Sequence, residues 1–72
     1  MSGPFTVRWW HPRLHQHSVR KFTEPRAWQE ATRFHRAMAG HGAVLLNSFG
    51  HIWTGLLNSE GLPIWTTEEV MA

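Results

Sequence analysis

Leu45-Leu46-Asn47-Ser48-Phe49-Gly50-His51-Ile52-Trp53 returns, after Thr54 and Gly55, as Leu56-Leu57-Asn58-Ser59-Glu60-Gly61-Leu62-Pro63-Ile64-Trp65, with one residue inserted. In each copy Asn bonds to its own backbone and Gly accepts a positive φ, so the Asn-Ser-x-Gly centre reads as a turn. The flanking Leu, Ile and Trp suit a pleated, half-buried surface. Two such units in tandem predict two hairpins that share a strand, a three-stranded antiparallel meander over residues 45–65. The repeat is architectural, with no catalytic chemistry in it.

Pairing Asn47 with Gly50 and Asn58 with Gly61 places Val44, Leu46, Trp53, Leu57, Leu62 and Ile64 on one face of the meander. Leu45, Ile52, Leu56, Pro63 and Trp65 then occupy the other, and a bulge at either Gly would exchange the two sets locally. One helix covers only one face of such a sheet. Unless the N-terminal strands fold over the second face, it is an exposed apolar surface of the kind that marks a partner or dimer contact, which leaves monomer and homodimer both open.

Upstream, Phe5, Val7 and Trp9 alternate with Thr6, Arg8 and Trp10, the period of a strand, which His11-Pro12 ends. A polar loop from His11 to His17 leads to a weaker strand, Ser18 to Phe22, able to pair back on the first. Thr23 is an expected N-cap, Glu24 favours the positive helix end, and Pro25 is tolerated in a first helical turn. Ala27, Ala31, Phe34 and Met38 then form the buried stripe of a helix near 24–39, flanked by Trp28 and His35. Gly40-His41-Gly42 stops it, with Gly40 the expected left-handed cap. The order β, β, α, β, β, β predicts a single α+β domain over residues 1–72. It is a small two-layer domain, an antiparallel sheet with a C-terminal three-stranded meander and one packed helix.

With 72 residues and no Cys, the chain excludes disulfide scaffolds, thiolate zinc sites and cysteine nucleophiles, and fits a reducing cytoplasm. No apolar run approaches the ~18 residues of a membrane span, and no signal-peptide pattern is visible, so a cytoplasmic protein without membrane attachment is expected. Five Trp and four Phe supply the bulk that a short chain needs for a core. The net charge of +2 hides an asymmetry: all seven Lys and Arg fall between Arg8 and Arg36, and less Glu24 and Glu30 they leave residues 1–41 at +5. Glu60, Glu68 and Glu69 leave the remainder at −3.

The chemistry-bearing residues point to binding. His11, His15 and His17 are the one imidazole cluster, but no carboxylate stands near them in the chain, and neither a metal nor another cofactor is expected. Asp is absent, the Glu residues are scattered, and no phosphate loop or nucleophile elbow occurs, so no enzyme is expected either. Arg8, Trp10, Arg13, Arg20, Lys21 and Arg26, extended along the helix by Arg33 and Arg36, combine cations with planar rings. Such a set serves an acidic protein partner, for which Trp and Arg are hot-spot residues. It also serves single-stranded nucleic acid, through phosphate neutralisation and base stacking.

From Phe22 to Trp65 the chain runs helix, Gly-containing stop, strand, Gly turn followed by Trp, strand, second Gly turn, and strand with Trp. That layout, with the small size and basic half, resembles the phage-encoded anti-CRISPR inhibitors, some of which are single α+β domains of about this length. The resemblance implies a compact, non-enzymatic protein in the host cytoplasm that binds a Cas effector complex and blocks its target nucleic acid. It carries no functional residue over by position. The basic N-terminal half departs from the acidic DNA mimics among those inhibitors. The alternative is a small nucleic-acid-binding module that uses the same basic and aromatic residues.

Overall fold

The computed structural model describes residues 3–69, with side chains described up to Thr66. Five strands and one helix follow in the order β1 (Phe5–His11), β2 (Gln16–Phe22), α1 (Ala27–Ala37), β3 (Val44–Leu46), β4 (His51–Leu57) and β5 (Pro63–Glu69). They form an antiparallel sheet of order β2-β1-β3-β4-β5 with α1 packed against one side, an α+β arrangement.

β1 holds the sheet together because it pairs on both edges. Its register with β2 is unbroken from Phe5↔Phe22 to His11↔Gln16, and Thr6, Val7 and Arg8 also face Leu46, Leu45 and Val44 of β3. The period-2 alternation therefore sends Phe5, Val7, Phe22 and Leu45 to the same side, where they close on Ala27 and Ala31. Val7, Leu45, Ala27 and Ala31 are wholly buried. The two alanines let the helix lie close to the strands. An isolated helix of 11 residues is marginal in water, so this packing is what holds α1 in place.

Around that small aliphatic centre the aromatic residues form a connected set. Trp28 meets Phe5 edge-on at 5.3 Å between ring centroids, Trp53 at 5.0 Å and Trp65 at 6.2 Å. Trp9 and Phe22 both pack on Phe34. Trp9, Trp28, Trp53 and Trp65 thus pack, partly buried, against the core, and Trp10 alone among the tryptophans points away from it.

The helix differs from the sequence expectation at both ends. It starts at Ala27, with Arg26 in the cap position and no side-chain cap, where Thr23 was the expected N-cap. Glu24 is engaged elsewhere: its carboxylate accepts the Gly3 N–H at 2.7 Å, which holds the chain before the helix against the N-terminal strand. Glu24 also precedes Pro25, a position that disfavours helical backbone. At the far end the chain continues through a 3₁₀ turn, Ala39–His41, and the left-handed residue is Gly42 (φ 67°), two residues beyond the expected Gly40.

The meander is present, and its turns lie at Asn47 to Gly50 and Asn58 to Gly61. Its expected faces are exchanged in part. Asn47 pairs with His51 and Asn58 with Leu62, so each turn has one loop residue more than the pairing assumed from sequence. The extra residue is the glycine, at φ 83° for Gly50 and 79° for Gly61, and its insertion shifts each following strand by one position. Leu45, Trp53 and Trp65 consequently share the helix side, whereas Leu46 and Ile52 pair on the other. The helix lies chiefly over β1, β2 and β3. It reaches the β4–β5 hairpin through Trp28 and His35. Among the described residues no helix is long and apolar enough to cross a membrane.

Candidate binding surface

The side of the sheet opposite α1 is the candidate surface. Thr6, Arg8 and Trp10 alternate with the core residues of β1 and so point to that side, opposite Lys21, Val19 and His17 of β2. Val44 and Leu46 of β3 continue it, and Ile52 follows across the next strand. Trp10 is 41 % exposed and sits edge-on to His17 at 5.2 Å. Val19 is 65 % exposed beside them. The result is an apolar surface punctuated by two cations, Arg8 and Lys21.

At the edge of this face nearest the β3–β4 turn lies an open groove of about 450 Å³. Thr6, Arg8, Lys21 and Ser48 supply its polar wall, Pro4, Val19 and Leu46 its apolar one, and among the described residues no carboxylate lines it. The turn that closes the groove is rigidly built. The Asn47 Oδ1 accepts the backbone N–H of Phe49 at 2.9 Å and of His51 at 3.0 Å. Arg8 is half-buried in the middle of β1, and its Nε is a buried donor with no hydrogen-bond partner among the described residues. A buried, unpaired donor costs about 1–3 kcal/mol relative to a paired one.

The other basic residues singled out from sequence are distributed over the rest of the molecule. Arg20 lies on the helix side, its guanidinium 5.1 Å from the Phe22 ring centre and 5.2 Å from that of Phe34, a cation–π arrangement. It lines a second groove with Glu30 and Arg33. Arg36 belongs to a third, between the helix and β4, with Thr32, His35 and Trp53. Arg26 is exposed at the helix start and Arg13 in the β1–β2 turn. Arg8, Trp10 and Lys21 are therefore brought together, while Arg13, Arg20, Arg26, Arg33 and Arg36 are not part of that group.

Thr6, Val19, Leu46 and Ser48 belong to the same face and were not marked as site residues by sequence reasoning. The strand period carried the signal for Thr6, which alternates in phase with Arg8 and Trp10; for the others it required the cross-strand register. Of the three clustered histidines, His17 meets Trp10 edge-on, and His11 Nδ1 accepts the Leu14 N–H at 3.4 Å. Among the described residues no three His, Cys, Asp or Glu side chains are grouped to hold a metal ion.

A second exposed apolar area lies at the far end of the β4–β5 hairpin, where Leu56, Leu57, Leu62 and Ile64 are between 40 % and 63 % exposed. Gly55, at φ 89°, lies in the bulge that precedes it. No family model matches the chain, and comparison with the curated proteins and the solved structures found no match.

Proposed function

We propose that this protein is a non-enzymatic binding module that engages a protein partner through the helix-free face of its sheet, and that the partner is a subunit of a CRISPR effector complex. Binding there would shut out the effector's target nucleic acid. The observation that carries the binding reading is the composition of the open face: exposed Trp10 and Val19 around Arg8 and Lys21, on a sheet whose opposite side is filled. An exposed Trp beside Arg within an apolar surround is the usual make-up of an interface hot spot. The CRISPR effector as target is supported by the size, plan and basic half that the chain shares with anti-CRISPR inhibitors.

A second reading, a nucleic-acid-binding module, draws on the same Trp10, Arg8 and Lys21. It is less favoured because Arg20, Arg33 and Arg36 line grooves on the helix side, which divides the cations between surfaces where a track along a nucleic-acid backbone needs a row of them.

Competition with target DNA for a purified effector complex tests both. The inhibitor reading expects the protein to co-elute with the complex and displace its target, with Trp10→Ala and a Lys21→Glu charge reversal each weakening inhibition. Single-stranded oligonucleotides should bind the isolated protein weakly. Tight oligonucleotide binding whose log affinity falls by about 0.7 per neutralised phosphate for each tenfold rise in salt supports the second reading instead. Failure to form a complex with any effector ends the first.

A further inference from the structure

We infer that the groove at the edge of the open face is a binding site for a phosphate monoester. This does not rest on the proposed function, since a single pocket of two cations suits one small ligand whichever macromolecule the face meets. The placement follows from strand register. Arg8 faces Val19 across the β1–β2 pair and Thr6 faces Lys21, which makes Arg8 and Lys21 diagonal neighbours on one side of the sheet. Diagonal positions stand about 7–8 Å apart at the backbone, a separation that two long cationic arms span easily to converge on one group.

Four features select the ligand. Among the described residues, both charged side chains lining the groove are cations and no carboxylate lines it with them. Arg8 lines the groove, and a guanidinium grips oxyanions through adjacent N–H groups. Thr6 and Ser48 add hydroxyl donors to the same wall. Two cations match the charge of a phosphate monoester, about −1.5 to −2 at neutral pH, better than the single charge of a carboxylate. The remaining wall, Pro4, Val19 and Leu46, is apolar, and the volume of about 450 Å³ falls in the range of small-ligand sites, so the rest of the ligand is a compact, partly apolar group such as a nucleoside.

Backbone amide NMR of the intact protein, titrated with sodium phosphate, AMP and adenosine at constant ionic strength, tests the site. Saturable shifts are expected at Thr6, Lys21, Ser48 and Gly50 with phosphate and with AMP, AMP binding the tighter of the two and adenosine without effect. Lys21→Gln, on an exposed edge position, should weaken AMP binding about tenfold, as the loss of one charge-assisted contact does. Arg8→Gln should weaken it at least as much, with the Val7 and Leu45 amide positions reporting whether the fold is intact. Arg36→Gln, in a different groove, should change nothing. Shifts that never saturate, adenosine binding as well as AMP, or unchanged affinity in Lys21→Gln would each overturn the assignment. Saturation of the same residues by an acidic peptide but not by phosphate would also overturn it and identify the site as a carboxylate acceptor.

Discussion

The β1–β2 hairpin keeps one antiparallel register from Phe5↔Phe22 to His11↔Gln16, whereas the β4–β5 hairpin, with strands of equal length, changes register twice. The regular hairpin lines up Phe5, Val7 and Phe22 beneath the helix, and all three are buried. The irregular one has no buried residue among those described, and it meets the body through Trp53 and Trp65. Its outer half extends beyond the helix, and the molecule is correspondingly elongated, 39 Å by 26 Å by 19 Å. Both hairpins are rich in apolar residues. Continuous register, by keeping successive side chains in phase with one face, decides which of them becomes core.

Four measurements sharpen or break this contrast. The largest effect belongs to the body: Leu45→Ala, at a wholly buried site, should cost about 2–5 kcal/mol in urea denaturation, and a loss under 1 kcal/mol would show that the core is not centred on β1 and β3. Next comes the joint between the regions. Trp28→Ala removes the ring that touches Phe5, Trp53 and Trp65, so it should cost about 3 kcal/mol. Amide exchange should then accelerate in β4 and β5 well before β1. Equal acceleration everywhere would mean that the two regions unfold as one.

Within the outer hairpin, Gly61→Val should destabilise by about 1–2 kcal/mol, measured by thermal melting. A Cβ there meets no atom within 4 Å, so the entire cost is that of forcing a β-branched residue to φ 79°. A neutral result would disprove the turn geometry. The smallest effect is expected from the tip: Leu56→Ser combined with Leu62→Ser should leave stability within about 0.5 kcal/mol, because both side chains face water. A loss above 1 kcal/mol would reveal that these leucines are covered in solution, and size-exclusion chromatography of the same variant would show by what means.

Strand and turn positions were legible because they depend on local chemistry. The two Asn-x-x-Gly turns form the same pattern of bonds, Asn58 Oδ1 accepting the Glu60 and Leu62 N–H groups just as Asn47 Oδ1 accepts those of Phe49 and His51. What chain-local reasoning misplaced was phase. Counting the glycine as a paired residue put Leu45 and Trp53 on opposite faces, and one residue of slip reversed the assignment. The helix start moved for a related reason: Glu24 bonds to Gly3, a partner 21 residues away that no window around Thr23 contains.

The candidate surface divides along the same line. Alternation along β1 already separated Arg8 and Trp10 from Phe5, Val7 and Trp9, so the sequence by itself determined that a basic and aromatic row would stand opposite the core. It equally determined the α+β composition, the two glycine turns and the excess of positive charge in the first half, since each depends on neighbours a few residues apart. Only the tertiary structure decided that Lys21 and Ser48 join Arg8 while Arg20, one position from Lys21, turns to the helix side and rests on Phe22 and Phe34. That choice depends on cross-strand register and on where the helix docks. Both are set by burial of side chains far apart in the chain, and the charge pattern follows from them.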